Sequence, residues 1–362
     1  MKIIFTGGGT GGHIFPAIAV ADELKKTYKD INILFVGAKG RIEEKIVPAN
    51  NYELKTINIE GFNKRNVIGN IKLPAKILKA LKNCKEILKD FKPDVVIGTG
   101  GFASAPMVYS AIKMKIPSLI QEGNSYPGKV TKFLAGKANM VVVSFEETKN
   151  YLKRKDNVYK ISYPVRNSLS KVDKIGALNS FGLNNGNRTL FAFGGSQGAK
   201  GINDVLKNKI KALYDENINL IWQTGKSNYD EIKEMCRPYE DKVKVFEFID
   251  NMKYAYSASD LVICRSGMSS IMELSFLKMP AILVPFPLSA DNHQEKNART
   301  LENNKACILI LQKDLEAKLI SVITNTIFNN ESLKTLGENI CKFSDPDSAK
   351  KIANLIYQLT LN

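Results

Sequence analysis

Histidine is nearly absent from this 362-residue chain, which has only His13 and His293. Cysteine is sparse and scattered, five residues with no Cys-x-x-Cys pair. Together these exclude a zinc framework, which needs thiolates or imidazoles paired at short spacing. They leave the thiols reduced and mostly buried. No apolar run approaches bilayer length. No basic segment with an apolar core opens the chain, so a cytosolic protein is expected. No glycine loop ends in Gly-Lys-Ser/Thr, and none is a clean GxGxxG with an acidic residue closing the next strand. The strand after the first helix ends Phe35-Val-Gly37-Ala, without the ribose-binding carboxylate of an NAD site. No Asp-x-Asp follows a glycine loop, so no essential metal and no cofactor are expected.

What is present is lysine and glycine. The formal net charge is +16. Residues 1–165 carry 27 Lys and Arg against 14 Asp and Glu, a formal +13; the remaining residues carry 25 against 22, or +3. The basic half suits an anionic partner, although a solvated lysine-rich surface explains composition alone nearly as well. The length suits two domains. Strand patterns fall at 2–6, 32–36, 53–59, 94–98, 118–121, 140–144 and 158–162. A second series falls at 189–193, 219–224, 244–248, 261–264, 281–285 and 306–310. Each is followed by turn residues and a helical pattern, which indicates βαβ units and parallel sheets. The boundary lies near Tyr163-Pro-Val-Arg166, with domains at 1–163 and 164–345. A last helix within 346–362 is expected to pack back on the first domain. The fold class is α/β, two doubly wound domains with ligands at the carboxyl ends of the strands.

Three glycine loops follow strands: Gly7-Gly8-Gly9-Thr10-Gly11-Gly12-His13, Gly98-Thr-Gly100-Gly101 and Gly194-Gly-Ser196-Gln-Gly198. Glycine lets a backbone approach a ligand, and the helix start that follows offers N–H groups to an anion. One such loop is weak evidence of a site; three at strand ends are hard to explain by turns alone. His13 is the ionisable side chain of the first loop. Gln121-Glu122-Gly-Asn124 ends another strand and points Glu122 and Asn124 toward the same site. In Cys264-Arg-Ser-Gly267-Met268-Ser269-Ser270-Ile-Met-Glu273, either serine can cap a helix. Glu273 then lies about a turn inside, suited to two vicinal hydroxyls or merely to the helix dipole. Asp291, His293 and Gln294 suit sugar hydroxyls, while Asp291 or Asn292 also reads as a plain cap. Residues 71–92 form an amphipathic helix pattern with Ile77, Leu78, Leu81, Leu88 and Phe91 on one side and six lysines elsewhere. Its ordinary reading is one face on a core; its functional reading is attachment to an anionic membrane.

The segments GGGTGGHIFPA, GTGGFASAP, QEGN, YPVR, GGSQGA, CRSGMSSIMEL and PFPLSADNHQEKNA, in that order, resemble the motifs of the MurG family. Its members are UDP-N-acetylglucosamine–N-acetylmuramyl-(pentapeptide) pyrophosphoryl-undecaprenol N-acetylglucosamine transferases. The resemblance covers nearly the whole chain. It implies the GT-B glycosyltransferase fold, two Rossmann-like domains facing across a cleft, and conversion of lipid I to lipid II at the cytoplasmic face of the cell membrane. It implies UDP-GlcNAc in the second domain, with Ser196 at the diphosphate, the Ile249 backbone at uracil and Glu273 at the ribose. Met268, Ser269 and Ser270 would lie against phosphate and sugar, and Gln294 would read the GlcNAc hydroxyls. Thr10, Gly11, Gly12, Asn124 and Arg166 would reach the donor from elsewhere. Gly8, Gly9, Gly100 and Gly101 would cradle the lipid I pyrophosphate. His13 is the first candidate for general base, because a helix N-terminus disfavours imidazolium; Glu122 is the second. Implied partners are UDP-GlcNAc, lipid I, an anionic membrane surface and cell-wall synthesis proteins, with no nucleic acid. Departures from the family pattern are Ser162-Tyr163 before Pro-Val-Arg, Met268-Ser-Ser270, and Gln121 before Glu122. The rival readings are another GT-B enzyme, either a glycolipid synthase or a UDP-GlcNAc 2-epimerase, and a non-catalytic basic binder of membrane or RNA.

Overall fold

A computed structural model describes residues 1–60, 73–165, 169–195 and 198–361. Seven strands form one sheet: β1 (Lys2–Thr6), β2 (Asn32–Ala38), β3 (Glu53–Ile57), β4 (Val95–Gly98), β5 (Ser118–Glu122), β6 (Met140–Val143) and β7 (Val158–Lys160). Six form another: β8 (Arg188–Phe193), β9 (Ile218–Gln223), β10 (Val243–Phe246), β11 (Leu261–Cys264), β12 (Ala281–Leu283) and β13 (Ile308–Leu309). Every strand pattern read from the sequence forms a strand. The largest difference is at 306–310, which shrinks to the two residues of β13. Lys305 turns through a left-handed conformation there (φ 53°), and Ala306 and Cys307 are buried before pairing begins.

All pairings are parallel, in the orders β3-β2-β1-β4-β5-β6-β7 and β10-β9-β8-β11-β12-β13. Strands such as Ile3-Ile-Phe5 and Leu261-Val-Ile263 are apolar at successive positions because helices cover both sheet faces. In each sheet the chain starts in the middle, winds outward, then crosses back. The reversal falls between β1 and β4 in one sheet and between β8 and β11 in the other. Ligands of doubly wound sheets bind outside the carboxyl ends of the two strands at such a reversal. The three glycine loops follow β1, β4 and β8, and the helix Met268–Phe276 follows β11.

The chain divides into two compact units, Met1–Arg166 with Asp345–Asn362, and Asn167–Ser344. The last helix, Ser348–Thr360, lays Ala349, Ile352, Ala353, Ile356 and Leu359 into the core made by β1 and the helix Gly11–Thr27. Tyr28 fixes the contact: its hydroxyl donates to Asn354 Oδ1 (3.0 Å), and its ring stacks on Tyr357. The helix Leu73–Phe91 buries Ala80, Cys84 and Leu88, an i, i+4, i+8 stripe. Ile77 and Leu78 do not join that stripe; Leu78 is 69% exposed. Leu88 is buried on the expected side and Phe91 packs against the same core, joined by Ala80 and Cys84, whose small side chains carry little hydropathy signal. In the second unit the chain's one tryptophan, Trp222, is fully buried and donates its indole N–H to Asn203 Oδ1 (3.1 Å). The five cysteines are free, and all but Cys341 are buried. Burial pushes the Cys84 thiol up to about 12 and Cys236 to about 11. No helix among the described residues is long and apolar enough to cross a membrane.

Candidate active site

The loops after β1 and β4 interlock around His13. Its Nδ1 lies 3.0 Å from the Thr99 carbonyl, and Thr99 Oγ1 donates to the His13 carbonyl at 2.7 Å. A carbonyl only accepts, so Nδ1 carries the proton and the lone pair of the neutral ring sits on Nε2. Gly100 makes room for this ring: a Cβ there would come 2.5 Å from His13 Nδ1, at a φ of +103°. At Gly101 a Cβ would meet the Gly8 carbonyl at 2.3 Å. These glycines serve the contact of one loop with the other.

Beneath the first loop lies Glu43, fully buried. Its Oε2 accepts from the Gly9 N–H (3.0 Å) and its Oε1 from the Ala38 N–H (2.9 Å). A Cβ at Gly8 would fall 2.0 Å from the same carboxylate. Of the expected pyrophosphate cradle of Gly8, Gly9, Gly100 and Gly101, the Gly9 N–H is held by Glu43. At Gly8, Gly100 and Gly101 the packing leaves no room for a Cβ. The start of the helix Gly11–Thr27 also offers N–H groups to an anion. Its N-cap, Thr10, makes no side-chain cap hydrogen bond.

Glu122, at the end of β5, is 6% exposed. Oε1 accepts from the backbone and side-chain nitrogens of Asn124, each at 3.0 Å. Oε2 accepts from the Gly128 N–H (2.9 Å) and Thr131 Oγ1 (2.7 Å). A carboxylate offers about four lone-pair sites, and here four donors use them. Glu122 therefore shapes the 123–128 loop and aims Asn124, and the geometry argues against it as a base. Tyr163 donates to the Gly12 carbonyl, fixing the segment before Pro164 to the turn that carries His13.

The second unit repeats the plan. A Cβ at Gly198 would meet the Thr224 carbonyl at 2.0 Å, so the loop after β8 lies directly on the end of β9. The helices Lys200–Asp215 and Met268–Phe276 both begin without a side-chain cap. By contrast, Asp173 and Asn329 cap the helices Lys174–Ser180 and Asn330–Cys341. The N-cap before Met268 is Gly267; Ser269 and Ser270 sit inside the first turn, so the expected serine cap is not made. Glu273 is held by the Tyr256 hydroxyl, which donates to Oε2 at 2.9 Å. The Ile249 N–H donates to Gln223 Oε1 (2.9 Å), which leaves its carbonyl as the group to meet a base. Gln294 Oε1 accepts from the Phe286 N–H (2.9 Å), so a sugar hydroxyl would meet its amide nitrogen, a donor. His293 Nδ1 turns to the Ala290 carbonyl at 2.7 Å. Ser196 and Arg166 lie outside the described residues.

Sequence reading missed Glu43, Thr99 and Arg265. Arg265 sits inside a quoted motif, where a charge directly ending the apolar strand β11 was the available signal. Glu43 had none beyond following β2 closely. Among the described residues no three His, Cys, Asp or Glu side chains gather as a metal site. The one Asp-x-Asp, Asp345-Pro-Asp347, precedes the last helix, where Asp345 pairs with Lys351 at 2.6 Å.

Residues 3–143 match the glycosyltransferase family 28 N-terminal domain and residues 189–352 its C-terminal domain. Fold and matches together define the class, a UDP-sugar glycosyltransferase of the GT-B fold. The UDP-N-acetylglucosamine–N-acetylmuramyl-(pentapeptide) pyrophosphoryl-undecaprenol N-acetylglucosamine transferase of Thermoanaerobacter sp. (strain X514) is 40% identical over 365 residues, 99% of this chain and 100% of the relative. The crystal structure of Acinetobacter baumannii MurG superposes with a TM-score of 0.78 at 26% identity, covering 99% of each chain. The chain belongs to this family, the MurG transferases. A UDP-GlcNAc 2-epimerase of Neisseria meningitidis, bound to UDP-GlcNAc, aligns over 99% of this chain and 100% of its own with a TM-score of 0.70. At 14% identity it shares the fold alone.

Proposed function

We propose that the chain moves GlcNAc from UDP-GlcNAc to the MurNAc 4-hydroxyl of lipid I, giving lipid II for peptidoglycan. The 40% identity to a transferase of that name supports the reaction. The observation that carries the mechanism is the Thr99–His13 contact, which leaves Nε2 as the basic nitrogen. The 4-hydroxyl oxygen attacks the anomeric carbon as the bond to UDP breaks on the opposite face. The hydroxyl proton passes to His13 Nε2, and UDP leaves with the bonding electrons. The new linkage is β-1,4.

In this reading residues 1–163, with the last helix of 346–362, serve the acceptor. Residues 164–345 hold the donor. Glu273, oriented by Tyr256, takes the ribose hydroxyls, and the Ile249 carbonyl accepts from uracil N3–H. The uncapped helix starts at Lys200 and Met268, with Ser196, Ser269, Ser270 and Arg166, receive the diphosphate and stabilise the charge on departing UDP. Gln294 donates to a GlcNAc hydroxyl. Thr10, Gly11, Gly12 and Asn124 reach the donor sugar from the His13 side. No metal is required by these steps.

Lipid I is anchored in a membrane, so the protein works as a peripheral protein at the cytoplasmic face, beside other cell-wall synthesis proteins. The outward Ile77 and Leu78 support this, with Phe133 60% exposed beneath the Lys137 ammonium (4.2 Å to the ring). The decisive experiment follows labelled GlcNAc from UDP-GlcNAc to a lipid I analogue, with and without chelator. Acceptor-dependent transfer that resists chelator is expected. Turnover of UDP-GlcNAc without acceptor would favour the epimerase reading instead.

A further inference from the structure

Arg265 is a buried charge in the second unit. It follows β11 at the reversal of that sheet and is 8% exposed. Its guanidinium meets only neutral acceptors. One terminal nitrogen donates to the Val284 (3.1 Å) and Pro285 (3.0 Å) carbonyls, and the other donates to Gln312 Oε1 (2.7 Å). The Phe286 ring lies against it, 5.4 Å to the centroid. Among the described residues no carboxylate pairs with it. Burial pulls the group down to about 10, still fully charged at neutral pH.

A buried cation without a counter-charge is costly, and proteins ordinarily pair one. The surroundings say what pairs this one. Gln312 Oε1 would lie 2.4 Å from a Cβ on Gly201, so its amide rests against the first turn of the helix Lys200–Asp215. Arg265 is thus one side chain removed from the uncapped helix start after the loop of β8. Two residues further along its own strand end, Gly267 opens the uncapped helix Met268–Phe276. Next to it, Ser266 Oγ donates to the Gln294 carbonyl (2.8 Å), so the same strand end fastens the 284–294 loop.

We propose that Arg265 is an electrostatic positioning residue for the nucleotide diphosphate: a fixed positive charge beneath both uncapped helix starts, whose counter-charge is supplied by the ligand. The proposal rests on the donor reading above. A charge already buried and held by three hydrogen bonds needs no reorganisation when UDP departs, and so stabilises the leaving group.

The test is calorimetric binding of UDP and of uridine to the full chain, for wild type, Arg265→Gln and Arg265→Lys, with a melting curve for each. Arg265→Gln should weaken UDP by at least about tenfold and uridine by less than about twofold, the signature of a charge acting on phosphate. Arg265→Lys keeps the charge without the planar fork and should retain most of the preference for UDP over uridine. Equal losses for UDP and uridine, in either variant, overturn the proposal, because a purely structural arginine would act on both. UDP binding unchanged in Arg265→Gln also overturns it. If Arg265→Gln does not fold, the ratio in Arg265→Lys decides. Wild type that binds neither ligand overturns the donor reading, and the proposal with it. Wild type that binds both upholds the donor reading whichever way the variants fall.

Discussion

At the scale of single residues, the proposed chemistry depends on how His13 is held. His13→Ala should lower kcat by about 10²–10⁴, the usual worth of a positioned base. Glu122→Gln should behave differently. Two of its four incoming donors would face an amide NH2, so the 123–128 loop shifts and KM for the donor rises. The acidic limb of the pH–rate profile, where a general base becomes protonated, should persist in that variant; its disappearance would return Glu122 to the chemistry. Gly100→Ala places a methyl group 2.5 Å from His13 Nδ1 at a φ of +103°. It should cost activity on the order of His13→Ala and also lower the melting temperature, because the new side chain is held at a strained φ. The thiols give a separate check. With Cys84 and Cys236 pushed up to about 12 and 11 by burial, thiolate is scarce at pH 8. Iodoacetamide at that pH should label Cys341 alone in the folded protein, as peptide mass mapping will show. The residue scale is also where the sequence is least legible. His13, Glu273 and Gln294 announce themselves as polar groups in glycine-rich or loop segments. Glu43 and Arg265 are buried charges whose meaning depends on backbone groups brought from distant strands, and no local pattern encodes that.

At the scale of elements, the strands are legible almost throughout. A parallel strand covered on both faces is a short apolar run closed by a turn, and thirteen such runs are present. The helix Leu73–Phe91 shows the limit. Its period is plain and Leu88 is buried as expected, but Ala80 and Cys84 on the buried face carry little hydropathy signal, while Ile77 and Leu78 stay exposed. The last helix carries a testable energetic claim. Ile356 is fully buried against the first unit. Ile356→Ala should destabilise that unit by about 2–5 kcal/mol, measured by urea unfolding. A smaller loss would mean the helix is only loosely attached.

At the scale of the whole molecule, charge and fold are distributed unevenly. The formal +13 of residues 1–165 against +3 for the rest predicts that vesicles containing anionic lipid retain the protein in sedimentation. Retention should fall steeply between low and high salt, as screening shortens the reach of surface charge to about 3 Å at 1 M. Neutral vesicles that bind equally well would assign attachment to Leu78 and Phe133 instead. The lone indole has a further consequence. Trp222 donates to Asn203, Asn203 donates to the Thr224 carbonyl (2.8 Å), and that carbonyl lies under Gly198. Intrinsic fluorescence therefore reports on one unit only and is wired to the loop after β8. Ultraviolet emission excited at the tryptophan edge should track donor occupancy and remain blind to the acceptor, giving an optical readout of half the enzyme with no label attached.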